Sequence, residues 1–144
     1  MLFAPTKFDY VLTLVQLSLS CGEFKIAKNA LLPLYETNPQ QADICFQLGK
    51  IERKLGNLDA AISFFEQAIK LSEQFKVPAL IEIAFLHNEQ LHQPDEALHY
   101  LEQAIFHDKN SLQAHFSLAN IYEQLGDKEK AKQGFQQVLK IDAF

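Results

Sequence analysis

Residues 42–75 read ADICFQLGKIERKLGNLDAAISFFEQAIKLSEQF, and this stretch decides the fold. Apolar residues recur at three- and four-residue intervals on either side of Leu55-Gly56-Asn57, the pattern of two amphipathic helices joined by a tight turn. With Ala42 as position 1, Leu48 and Gly49 fall at positions 7 and 8, Ala61 at 20, Phe65 at 24 and Ala68 at 27. Asn57 is placed to cap the second helix, and Asp59 lies in its first turn, where the helix dipole favours negative charge.

The same spacing of small and large residues returns along the rest of the chain. Ala27, Ala61, Ala97 and Ala131 occupy position 20, separated by 34, 36 and 34 residues. The units begin at Phe8, Ala42, Pro78 and Leu112 and cover 8–41, 42–75, 78–111 and 112–144, with two extra residues around Lys76 and Val77. Self-similarity at a period of 34, carried by these residues, resembles the tetratricopeptide repeat. The resemblance implies an all-α fold, a right-handed superhelical solenoid of about eight antiparallel helices in a single domain over residues 1–144.

The individual units carry their own punctuation. Thr6 and Asp9 form an acidic variant of the capping box at the start of the first helix, which should run to about Ser20 before Gly22 breaks it. Pro33 lies inside the next helix and is expected to kink it unless that helix begins late. Asn38 and Gln41 are placed to cap the following helix, with Pro39 at its first position. In the third unit Ala84 and Phe85 stand at positions 7 and 8, where a phenylalanine would force two helices apart. Alternatively the first helix of that unit is shifted by one residue, so that Ile83 and Ala84 take those places and an extra residue is absorbed before Pro94. The fourth unit stops at Phe144, one position short of a full repeat. The polar final helix with which such arrays usually finish is not evident beyond it.

Composition excludes several classes of function. The 144 residues are 48% hydrophobic and 22% charged, the balance of a soluble globular chain, and a net charge of -5 disfavours nucleic acid or an anionic membrane surface as partner. Lys7, the apolar stretch Tyr10 to Leu19 and then Cys21 imitate a secretory signal. Thr13, Gln16 and Ser18 interrupt that stretch, and it falls in repeat register, so it reads as a helix of a cytoplasmic protein. Cys21 and Cys45 fall at helix positions expected to be buried or half-buried and read as reduced thiols rather than a disulfide.

Catalytic and cofactor signatures are missing from the sequence. His87, His92, His99, His107 and His115 never stand three or four apart, so no metal pair forms on a helix face, and no cofactor is expected. The five glycines are dispersed rather than gathered into a phosphate loop, and no Gly-x-Ser-x-Gly elbow occurs. The expected class is therefore a binding scaffold and not an enzyme.

The resemblance also implies where a partner would sit. In tetratricopeptide arrays the first helix of each unit lines a concave groove through positions 2, 5, 9, 12 and 13. Carried over, the residues expected to matter are Leu12, Gln16, Phe46, Lys50, Arg53, Lys54, Glu82, Glu89, Phe116 and Asn120. Leu12, Phe46 and Phe116 at position 5 either offer pockets for a peptide or pack against neighbouring helices. Lys50, Arg53 and Lys54 make a basic ridge that would favour an acidic group, or else a solvated helix face. The carboxylate clamp known in this family is not matched. Position 5 is Leu12, Phe46, Glu82 and Phe116, and position 9 is Gln16, Lys50, Leu86 and Asn120.

The functional expectation is an adaptor that holds a protein or peptide in that groove. Two further readings stand beside it: a repeat domain of a larger enzyme or regulator, and a module that self-associates through its C-terminal face.

Overall fold

A computed structural model describes residues 4–141 and divides the chain into two compact units, Met1–Ser72 and Glu73–Phe144. The last three positions of the fourth repeat lie outside the described residues. The first unit contains α1 (Lys7–Ser20), α2 (Phe24–Thr37), α3 (Ala42–Lys54) and α4 (Leu58–Leu71). The second opens with a 3-10 turn, Glu73–Phe75, and contains α5 (Lys76–Glu89), α6 (Pro94–His107), α7 (Leu112–Gln124) and α8 (Lys128–Ile141). Within each unit consecutive helices pack on one another, and α5 also touches α7.

Three of the four hairpin turns share one design. Gly22, Gly56 and Gly126 adopt φ values of 77°, 84° and 82°, a left-handed conformation that costs glycine little. The next amide then reaches back five residues: Glu23 N–H to the Ser18 carbonyl, Asn57 to Glu52 and Asp127 to Tyr122, at 2.8 to 2.9 Å. That bond satisfies carbonyls that the helix end leaves open.

The α5–α6 turn is longer and does without glycine. His92 takes the left-handed conformation at φ 54°, and the Gln93 amide reaches back six residues to the His87 carbonyl, 2.8 Å. The extra residue is thus absorbed in the turn before Pro94, as the shifted register requires. Ile83 and Ala84 are buried on α5 while Phe85 is 49% exposed, so the small residue that allows close helix approach is Ala84. Phe85 does not wedge the helices apart, because it points away from them.

The position-20 alanines explain the repeat. Ala27, Ala61 and Ala97 are fully buried and Ala131 nearly so, each at the contact between the two helices of its hairpin. On α3, Gly49 serves the same close approach, with the buried Phe65 of α4 against its backbone. In the first unit Val15, Ala27, Leu31, Ile44, Leu48 and Ile51 form one buried cluster contributed by three helices.

Several local expectations need correction. Pro39 is not a first helical residue: it lies in the four-residue turn 38–41, closed by the Gln41 amide on the Asn38 carbonyl at 3.2 Å, and Gln41 caps α3 without a side-chain bond. Asn38 instead ends α2, its side-chain amide donating to the Leu34 carbonyl. Pro33 sits inside α2, which neither begins late nor breaks there. Asn57 does stand at the cap of α4, but its side chain turns back to Glu52 rather than to the helix amides. Cys21 is exposed at the end of α1, because the helix stops one residue before it, whereas Cys45 is fully buried; both are free thiols.

The last described helix is more polar on one side than the sequence suggested. On α8, Lys128, Lys132 and Gln136 are all exposed. They occupy the register that Phe24, Lys28 and Leu32 hold on α2, where all three are half-buried. The last described helix therefore turns a largely polar side outward, with Leu139 the apolar exception at 72% exposure.

Candidate functional site

The first helix of each hairpin carries the residues that the groove reading selects, and each unit holds its own set. In the first unit Leu12 is half-buried and packs on the Val15–Leu31 cluster, which ties it to the core, while Gln16 on the next turn is exposed. On α3 the Phe46 ring leans on the buried Phe65 with centroids 5.6 Å apart at 60°, and Lys50 places its ammonium 5.5 Å from the Phe46 centroid. A cation over an aromatic face is attracted by the ring quadrupole, so Phe46 and Lys50 behave as one surface element. Arg53 is half-buried one turn on, and Lys54 is exposed. Together they form a positive helix end whose floor is aromatic.

A second arrangement of the same kind occurs on α7. Phe116, 50% exposed, packs edge-on against Phe135 with centroids 5.7 Å apart, and Asn120 lies half-buried one turn beyond it. Across from it, Asn88 on α5 donates to Gln124 on α7 at 3.1 Å and to Glu89 at 2.9 Å. That polar bridge holds the two helix faces in register.

The shifted register changes which α5 residues share this face. Ala79 and Leu86, which the unshifted reading would place in the groove, are completely buried. Pro78, Ile81, Phe85, Asn88 and Glu89 take positions 2, 5, 9, 12 and 13 instead, and Glu82 moves to position 6. Glu89 keeps a place in the set and is exposed; Glu82 is half-buried. Phe85 and Asn88 therefore share this face, where the unshifted reading did not place them. The two extra residues between Ala61 and Ala97 were the trace that could have found them.

Among the described residues one charged group is buried. Glu52, 2% exposed, accepts from the Lys28 ammonium of α2 at 2.7 Å and from the Asn57 side-chain amide at 2.7 Å. Both carboxylate oxygens are thus engaged, which is the condition under which a buried charge is tolerated. In the sequence Glu52 looks like one more surface charge in the run from Lys50 to Lys54. Its only clue is that it falls at position 11, facing the preceding hairpin.

Three of the five histidines make polar contacts of their own. His87 stacks on Tyr100 at 5.3 Å and bonds Gln93, His99 meets Gln103, and His115 reaches the Lys109 carbonyl. Among the described residues no group of three His, Cys, Asp or Glu side chains is gathered as a metal site would require, and no helix is long and apolar enough to cross a membrane. Burial pushes the Cys45 thiol up, and the neighbouring Asp43 carboxylate adds to the effect.

Comparison with known proteins places this geometry. Two family models, each described as tetratricopeptide repeat, match residues 42–75 and 89–144. Among curated proteins, the Drosophila melanogaster protein O-mannosyl-transferase Tmtc3 is 26% identical over 119 residues; the match takes in 82% of this chain and 13% of that protein's length. Among solved structures, MamA superposes with a TM-score of 0.80 at 20% identity, over 96% of this chain and 80% of the other. YrrB, reported as a TPR protein with an unusual peptide-binding site, gives 0.68 at 21% identity, over 88% of this chain and 64% of the other. The Cut9-Hcn1 hetero-tetramer of the APC/C gives 0.75 at 19% identity, over 91% of this chain and 26% of the other. With the buried alanines, the glycine turns and both model matches in agreement, the chain belongs to the tetratricopeptide repeat family.

Proposed function

We propose that this chain is a protein-interaction module that holds a peptide or protein segment on the faces of its first helices, around Phe46, Lys50, Arg53 and Lys54 in one unit and Phe116 and Asn120 in the other. One observation carries the reading. In both units a surface phenylalanine at position 5 rests on a second phenylalanine of the partner helix, Phe46 on Phe65 and Phe116 on Phe135. A ring braced from below loses little freedom when a ligand covers it, so it is suited to anchor an apolar side chain. Lys50, Arg53 and Lys54 beside the first ring favour an acidic group in the same ligand. The peptide-binding site reported for YrrB, whose fold is similar, supports this reading.

Affinity capture from the source cell with wild-type, Phe46→Ala, Lys50→Glu and Phe116→Ala proteins tests the reading. A partner retained by wild type and lost or weakened about tenfold with folded variants supports it, that factor corresponding to ~1.4 kcal/mol. A partner that binds all three folded variants as well as wild type removes the helix faces from consideration.

A second reading is that these repeats serve a larger protein by positioning another domain or mediating assembly. It is favoured by the Drosophila relative, in which the matching segment is 13% of the length. The extent of the reading frame in the source gene decides between a free-standing adaptor and a repeat segment.

A further inference from the structure

The outer side of α1 departs from its own repeat pattern. Positions 3, 7 and 10 turn inward where another helix precedes the unit: Ile44, Leu48 and Ile51 on α3 are buried in the same cluster as Leu31 of α2, and on α7, against which α6 packs, Ala114 and Ile121 are buried and Leu118 is half-buried. The equivalent residues of α1 are Tyr10, Leu14 and Leu17, and they are 64%, 46% and 61% exposed. Among the described residues this helix-docking face is left uncovered. Exposed apolar stripes of this kind mark interaction surfaces.

We infer that this face pairs two copies of the chain through an antiparallel α1–α1 contact about a two-fold axis. Three observations select a second copy through α1. First, Tyr10, Leu14, Leu17 and the exposed Cys21 are spaced by four, three and four residues, the interval of a coiled-coil seam. That spacing is symmetric about its own midpoint. An antiparallel mate therefore sets Leu14 against Leu17 of the second copy, and Tyr10 against Cys21, with every seam residue matched. Second, no charged residue occurs between Tyr10 and Cys21, so two chains of net charge -5 meet there without like charges opposed. Third, the alternative mate, α8 of another copy docked head to tail, presents Lys128, Lys132 and Gln136 where α2 offers Phe24, Lys28 and Leu32. Two of those three positions would bring a polar group in place of an apolar one. Antiparallel packing is also how α2 meets α3 in this unit.

This dimer is separate from the partner-holding faces proposed above. One helix of fourteen residues, about 21 Å long, gives a contact at the small end of protein interfaces, so association is weak and concentration-dependent.

Sedimentation equilibrium of the wild-type chain, followed up to about 1 mM, is expected to show a monomer–dimer equilibrium, that concentration marking weak but measurable affinity. Leu14→Glu and Leu17→Glu, both at exposed positions, are expected to abolish the dimer while the circular dichroism melt is kept. The geometry has its own readout. Under a mild oxidant Tyr10→Cys is expected to form a disulfide-linked dimer through Cys21 of the second copy, and the same variant with Cys21→Ser is expected to form none. In an antiparallel pair the two Cys21 residues stand about 16 Å apart along the axis, so the wild type crosslinks poorly. A strict monomer throughout, a dimer indifferent to both glutamate variants, or rapid Cys21–Cys21 crosslinking of wild type would overturn the assignment.

Discussion

Gly49 and Phe65 occupy adjoining space so closely that a Cβ on Gly49 would lie 2.7 Å from two carbons of the Phe65 ring. Phe65 is fully buried, and its ring has no open side into which to retreat. Gly49→Ala should therefore destabilise the protein. Alanine is favoured over glycine in a helix by about 1 kcal/mol. Overpacking of a filled core costs roughly 1–3 kcal/mol and outweighs that gain. Urea unfolding read by circular dichroism measures the balance, and a variant as stable as wild type would show that α3 and α4 separate without strain.

The Lys28–Glu52 pair predicts an unequal response to removing either partner. Lys28→Met leaves a buried carboxylate held by Asn57 alone, and costs about 3 kcal/mol, the low end for breaking a buried ion pair. Glu52→Gln leaves an ammonium that is already about a third exposed and can turn to water, so it costs less. Thermal or urea unfolding of the two variants gives the order directly; equal losses would mean that Glu52 reaches solvent as readily as Lys28.

The Thr6–Asp9 box makes the start of α1 sensitive to acid. The Thr6 backbone amide, and then its hydroxyl, hold the Asp9 carboxyl below its usual value near 3.8. A depressed carboxylate contributes stability above the unfolded-state value, and that contribution is lost as pH falls through the lower, folded one. Amides at the N-terminus of α1 should therefore exchange faster as pH falls below about 4, after correction for the intrinsic rate, and Asp9→Asn should remove that dependence. Hydrogen exchange that follows the intrinsic rate in both proteins would rule the box out as a pH-dependent clamp.

The two thiols should separate cleanly under alkylation. Cys21 is exposed, whereas Cys45 is fully buried, its sulfur near Gln67 and the Pro39 carbonyl, and burial pushes its thiol up. Mass spectrometry after iodoacetamide treatment of the folded protein should find Cys21 modified first and Cys45 only once the first unit opens. Equal labelling of both under native conditions would contradict the packing around α3.

Much of this architecture was legible before any coordinates, because the repeat is enforced by sterics. Ala27, Ala61, Ala97 and Ala131 are small and buried where two helices touch, so their spacing reports the fold. The ambiguity at Ala84 and Phe85 was legible too, and the buried Ala84 with the longer turn at His92 resolves it. Glu52 was hidden because a charge in a charged run gives no local sign of burial; its partner Lys28 belongs to the preceding hairpin. Asn57 was read as a cap for the same reason, since only the fold brings the Glu52 carboxylate within its reach. On the face proposed to hold a partner, the sequence pattern singled out Phe46 and Phe116 but not the rings beneath them, which depend on how α4 and α8 fold back.

The His92 turn has a consequence for engineering. The three glycine turns are closed at one fixed length, but the α5–α6 turn already accommodates an added residue, exposed and without loss of the buried Ala84 and Ala97 on either side. It is the place to open the chain for new termini or to graft a tag or reporter, since His92 at its apex is exposed and an added residue there is already tolerated.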